Sequence, residues 1–146
     1  MKNPPVYWNK AKAYLSKKDK VLKYLIKNYN VGYLVSRNDV FFSLCKSITG
    51  QQISVAAANS VFLRFKKKCK GKIKPKVVNN LSFQSLKACG LSRQKVRGIK
   101  ELAKKCLNKN FNPSLIKNMS DIEAIEYLSE LRQIGKWSAE MILLFT

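Results

Sequence analysis

Helical periodicity runs through nearly the whole chain and constrains the fold more than any other feature. Val21, Leu22, Leu25, Ile26 and Tyr29 recur at i, i+1, i+4, i+5 and i+8, the spacing of one buried helical face. Trp8, Ala11 and Leu15 form a shorter stripe before it, and Ser16 with Asp19 reads as a capping box between the two helices. Phe41, Leu44, Cys45 and Ile48 make the next stripe, which stops at Gly50. The stretch from Ile53 to Phe65 reads as a small-residue helix. Ala56, Ala57, Val61 and Phe65 are expected to face inward, with the alanines letting backbones approach closely. Between Lys66 and Lys76 seven of eleven residues are lysine, broken by Gly71 and Pro75, which reads as a solvated loop. Ser82 opens a short helix closed by Gly90, and Ser92 opens a longer one carrying Val96, Ile99, Leu102, Ala103 and Cys106. Ser120 and Glu123 form a second capping box before Ile122, Ile125, Leu128 and Leu131. Gln133-Ile134-Gly135-Lys136 then leaves room only for a tight hairpin before a last helix near Trp137. No segment alternates as a strand does and no internal repeat is visible. The expected fold is all-α, with seven to nine helices.

Hydrophobic residues make up 46% of the 146, enough to build a core, so the net charge of +21 does not signal a disordered basic tail. That charge points to a polyanion, nucleic acid before a membrane surface. Most of the cations are lysine and asparagine is abundant, a habit that an AT-rich genome also produces, so charge alone leaves the partner open. The absence of histidine excludes Ser-His-Asp and Cys-His nucleophile systems and the common zinc catalytic sites. Cys45, Cys69, Cys89 and Cys106 form no C-x-x-C pair, so neither a zinc ribbon nor an iron–sulfur cluster is expected, and no other cofactor. All four fall on or near helical apolar patterns, as reduced core thiols do. Met1 to Pro5 lacks an apolar signal core and no stretch reaches membrane-spanning length. The expectation is a soluble cytoplasmic protein, of bacterial type, acting at the nucleoid.

The informative segment is Leu128 to Phe145, LSELRQIGKWSAEMILLF. Two helices joined by a short hairpin with a glycine suit a helix-hairpin-helix. There the exposed backbone N–H groups of the turn and of the next helix grip a phosphate without reading sequence. An ordinary turn between two helices has the same spacing.

Leu131-x-x-Ile134-Gly135-x-Trp137-Ser138-Ala139-Glu140-Met141 resembles the hairpin of the DNA-3-methyladenine glycosylase II (AlkA-like) branch of the helix-hairpin-helix DNA glycosylases. Three further blocks agree in order: Ile48-Thr49-Gly50-Gln51-Gln52-Ile53-Ser54 with Ala57 and Arg64, Gly90-Leu91-Ser92-x-x-Lys95 with Leu102-Ala103, and Trp8 through Leu25 including Asp19. The resemblance spans Trp8 to Phe145. It implies a two-lobed helical fold with a cleft, double-stranded DNA carrying alkylated bases as partner, and hydrolysis of the N-glycosidic bond after base flipping. Gln51, Gln52 and Ser54 then belong to the loop entering the minor groove, with Gln52 aligned with the wedge that fills the vacated stack. Trp137 matches an aromatic of the base pocket, where an indole face attracts a base made cationic by alkylation. Met141 lies one turn on as a weaker pocket candidate. Gln133, Ile134, Gly135, Lys136 and Ser138 correspond to the phosphate-binding turn. Bifunctional relatives carry a lysine nucleophile at the position of Trp137, so no Schiff base and no lyase activity are expected.

Two departures stand out. Gln133 replaces the first glycine of the family's G-x-G, a substitution that costs stability or grip if the site needs positive φ. The family's essential aspartate, which steadies the oxocarbenium-like sugar, lies in the loop beyond the helix that begins at Trp137. None of Asp19, Asp39 or Asp121 stands there, and the sequence ends at Thr146. By the resemblance no catalytic residue falls within the chain, which is expected to be inactive by itself, a glycosylase cut before its active carboxylate and without the closing helices of its first lobe. Residues 1–40 read as an N-terminal helical subdomain, and 41–146 as a central one with the helix-hairpin-helix at 121–146. The apolar end, Met141 to Phe145, invites self-association. Two other readings stay open: a non-catalytic helix-hairpin-helix module that only holds DNA, and a small helical interaction protein.

Overall fold

A computed structural model describes residues 4–33, 35 and 39–145. Its described residues form helices and turns with no strand. Two compact units divide the chain between Arg37 and Asn38.

The first unit is a pair of helices, α1 (Trp8–Lys18) and α2 (Lys20–Asn28). Asp19, not Ser16, makes the junction. Its extended backbone breaks the helix, its Oδ1 accepts from the Leu22 N–H at 2.8 Å, and its own N–H donates to the Leu15 carbonyl. Ser16 stays inside α1 because a carboxylate three residues on already caps α2. Within this unit the face expected to be buried is not enclosed. No residue of α1 or α2 is buried, and Trp8, Ala11, Leu15, Leu25, Ile26 and Tyr29 line a cleft of about 300 Å³. Two helices alone cannot enclose a core.

The second unit has the core. Asp39 caps α3 (Val40–Gly50), its Oδ1 accepting from the Phe42 N–H at 3.0 Å while Oδ2 pairs with Lys74 at 2.6 Å. Helix α3 sends Val40, Phe41, Leu44, Cys45, Ile48 and Thr49 inward and packs on α4 (Val55–Lys68), α7 (Arg93–Leu107) and α9 (Lys136–Leu144). The short α5 (Pro75–Asn80) lies along α7, and α6 (Phe83–Lys87) touches both α4 and α7. A 3-10 helix (Pro113–Asn118) contacts α3, and α8 (Asp121–Ser129) packs on α9.

Helix α4 begins after Ser54 and turns Val61, Phe62 and Phe65 inward, whereas Ala56 and Ala57 are exposed. Its first turn lies outside the core, so the close packing expected of these alanines does not occur. The lysine run is only partly loop: Lys66 to Lys68 finish α4, where cations complement the helix dipole, and Pro75 opens α5. Ser82, Ser92 and Ser120 cap α6, α7 and α8 as read from sequence, the last in a reciprocal box with Glu123. Those hydrogen bonds from Ser120 lower the Glu123 pKa.

Two lysines of α7 reach neighbouring helix ends. Lys95 donates to the carbonyls of Thr49 and Gln51, and Lys100 to those of Asn79 and Leu81, all within 2.9 Å. Each satisfies C-terminal carbonyls that a helix leaves unpaired. All four cysteines are free. Burial pushes the Cys69 and Cys106 thiols up to about 11 and the Cys45 thiol well above its ordinary value, so these stay protonated at neutral pH.

Gly90 is one place where glycine is required. Its φ is +95°, and a Cβ there would meet Arg64 Nη2 at 2.8 Å and Val61 Cγ2 at 3.2 Å. Arg64 is itself fixed, donating through Nε to the Cys89 carbonyl and through Nη1 to Ser60 Oγ. Gly90→Ala is expected to cost about 2 kcal/mol from backbone strain and displacement of Arg64, read as a shifted urea midpoint with unchanged slope.

Candidate nucleic-acid interface

Helix α3 ends at Gly50, and the chain turns through Gln51, Gln52 and Ile53 to Ser54, whose Oγ accepts from the Ala57 N–H at 3.2 Å. Gln52 takes φ +57°, a left-handed conformation costly for a side-chain-bearing residue. Thr49 is buried, its hydroxyl donating to the Cys45 carbonyl, and Lys95 Nζ bonds the Thr49 and Gln51 carbonyls at 2.9 and 2.7 Å. Burial lowers the Lys95 pKa.

The second element is the α8–α9 hairpin. Leu128, Leu131, Ile134, Ala139 and Ile142 are buried and pin both arms to the core. The Ile134 N–H donates to the Leu131 carbonyl, and the Gly135 carbonyl accepts from the Ala139 N–H, so Gly135 stands as the cap of α9. The first-turn N–H groups, at Lys136 to Ser138, have no acceptor further up the helix. With the partial positive charge of the helix start and the exposed Lys136, they make an anion-attracting end.

Gln133 sits at the bend with φ +68°. This is the positive φ that the family's glycine would satisfy without strain, and glutamine occupies it at a cost of about 1–2 kcal/mol. Its side chain lies on Gly98, where a Cβ would come within 2.7 Å of Oε1, and that oxygen is buried without a hydrogen-bond partner.

The two elements meet directly. Gln51 Nε2 donates to the Gln133 carbonyl at 2.7 Å, across 82 residues of sequence. That bond brings Gln51 against the turn that begins at Gln133, and Gln52, Ser54, Gly135 and Lys136 are exposed. The Ile134 and Ser138 side chains are buried and anchor the turn instead of reaching outward. Trp137 is 69% exposed at the start of α9, and Met141, one turn on, is half-buried. The indole is therefore presented outward, not enclosed.

Lys95 and Gly98, which support the loop and the hairpin from behind, are not among the site residues expected from sequence. The available signal was a lysine three residues after a capping serine, where the helix dipole disfavours a cation and a nearby acceptor is needed. The three aspartates are all at helix starts: Asp19 and Asp39 as caps, Asp121 in the first turn of α8. Among the described residues no group of His, Cys, Asp or Glu could hold a metal ion, and no helix is long and apolar enough to cross a membrane.

Residues 45–143 match a family described as HhH-GPD superfamily base excision DNA repair protein. The chain is 30% identical over 144 residues to DNA-3-methyladenine glycosylase 1 of Schizosaccharomyces pombe, covering 94% of this chain and 63% of that relative. It therefore spans less than two thirds of that relative's length. Among solved structures it is similar to the Schizosaccharomyces pombe 3-methyladenine DNA glycosylase in complex with abasic DNA, with a TM-score of 0.79 and 30% identity over 93% of this chain and 69% of that one. A DNA-3-methyladenine glycosidase from Bacillus halodurans gives a TM-score of 0.73 at 27% identity, over 79% of this chain and 54% of that one.

Proposed function

The chain belongs to the HhH-GPD superfamily of base excision DNA repair proteins, and from that premise we propose that it is the DNA-gripping part of an alkylbase DNA glycosylase of the AlkA-like branch. The activity proposed for the whole enzyme is hydrolysis of the N-glycosidic bond of 3-methyladenine-type bases flipped out of double-stranded DNA. The observation that supports this reading is the Gln51–Gln133 hydrogen bond, which ties the loop after α3 to the turn that leads into α9. One element would enter the minor groove at the vacated stack while the other holds a backbone phosphate.

Each residue has a proposed role. Gln52 fills the space left by the flipped base and hydrogen-bonds the orphaned partner. The α9 N–H groups and Lys136 bind phosphate, with Gln133, Ile134 and Ser138 shaping the turn and Ser54 fixing the loop. Trp137 stacks on the cationic base, and Met141 lines the same side. Trp137 offers no amine to attack C1′, so base loss proceeds without a Schiff base and without strand cleavage. The reaction needs a carboxylate for the sugar cation, and the three aspartates present are assigned to helix starts. The 146-residue chain alone is therefore proposed to bind without releasing base.

Two measurements test this. Fluorescence anisotropy is expected to show tighter binding to a duplex with an abasic-site analogue than to an intact duplex, with the preference surviving moderate salt. Equal binding to both, lost as salt rises, would leave only nonspecific charge attraction. Incubated with methylated DNA, the same chain is expected to release no methylpurine above background, and turnover would overthrow the assignment of the carboxylates.

A further inference from the structure

Gln51 has two jobs that point in different directions. Its side-chain amide reaches the Gln133 carbonyl, and its own carbonyl accepts from Lys95. Immediately after it, Gln52 holds φ +57°, a conformation that persists only where the surroundings impose it. Lys95 is a poor choice for its position by local rules, since the third residue of a helix meets the positive end of the dipole and burial further disfavours its charge. What favours it is the pair of carbonyls it bridges at the end of α3, at 2.9 and 2.7 Å.

We propose that Lys95 is a positioning residue: by bonding the Gln51 carbonyl it aims the Gln51 amide at the hairpin and holds Gln52 in its left-handed conformation. Loop and hairpin then close on one DNA as a single rigid jaw. This rests on the reading above that both elements contact DNA. Lys95 itself touches no DNA. Loss of its ammonium alone keeps the apolar stem and the exposed cations and frees the loop to move relative to the hairpin.

The test uses the 146-residue chain and a duplex in which an abasic-site analogue is flanked by 2-aminopurine, whose fluorescence reports local unstacking. Lys95→Met keeps the apolar stem and removes the ammonium. Both carbonyl bonds are then lost and the loop must be ordered on binding, so binding to the abasic duplex is expected to weaken about tenfold, with less than a twofold change on intact duplex. The 2-aminopurine signal at saturation should fall with it. Lys95→Arg, which can still reach both carbonyls, should restore most of both. If Lys95 acts through Gln51, then Lys95→Met in a Gln51→Ala background should cost less than about twofold further. Full additivity in that cycle, or a wild-type 2-aminopurine signal from Lys95→Met, would overturn the proposal. So would equal losses on both duplexes with a lowered melting temperature, which would make Lys95 merely structural. Failure of the underlying reading looks different, because the wild-type chain would then not distinguish the two duplexes at all.

Discussion

Trp137→Ala is expected to leave the fold in place while weakening binding to a duplex that carries a ring-methylated purine by about tenfold to a hundredfold. Stacking of a base on an aromatic ring contributes about 1–3 kcal/mol. A cationic base adds attraction to the indole face. Trp137 is 69% exposed, so its removal should change folding stability by no more than about 0.5 kcal/mol. Anisotropy titrations against damaged and intact duplexes separate the two effects, with urea unfolding as the control for stability. Trp137→Phe should retain much of the affinity, since a flat ring remains. Unchanged affinity for the damaged duplex in Trp137→Ala would remove Trp137 from the base site.

The largest effect on stability is expected at Phe65. Its ring is fully buried in α4 and meets the edge of Phe62 at a centroid distance of 6.2 Å. Phe62 in turn packs edge-on against Phe42 at 5.3 Å, so one truncation loosens a row of three rings joining α3 to α4. Phe65→Ala should cost about 3–5 kcal/mol from lost burial and the cavity left behind. That is a large share of the roughly 5–15 kcal/mol that holds a domain together. Urea titration followed by helical circular dichroism measures it directly. A cost below about 1 kcal/mol would mean that neighbouring side chains collapse into the space.

Elements governed by short-range chemistry could be read from the residues alone. Ser82, Ser92 and Ser120 cap helices where expected, because a cap is decided within three residues. Where two capping candidates stand close together, as at Ser16 and Asp19, the pattern does not rank them, and the aspartate prevails. The exposed Ala56 and Ala57 show a second limit, since small apolar residues fit a core or a surface equally well. The Asn112-Pro113 start of the 3-10 helix carried a turn signal that helical periodicity passes over. At the candidate interface, the hairpin and the loop were each legible as motifs. Their junction was not, because the bonds from Gln51 to Gln133 and from Lys95 to Gln51 span 82 and 44 residues. Gln133 was legible as a departure, and its φ of +68° gives that departure a physical cost.

Helix α7 changes how the charge of +21 is to be counted. Lys95 and Lys100, five positions apart, each face the negative end of a neighbouring helix and close off its carbonyls. They act as rivets, turning two mutually repelling cations into cross-links that hold α3 and α5 against α7. A surface assembled this way can carry a heavy load of lysine elsewhere, because some of the repulsion is relieved where the helices join. Net charge consequently overstates the number of cations free to meet a phosphate.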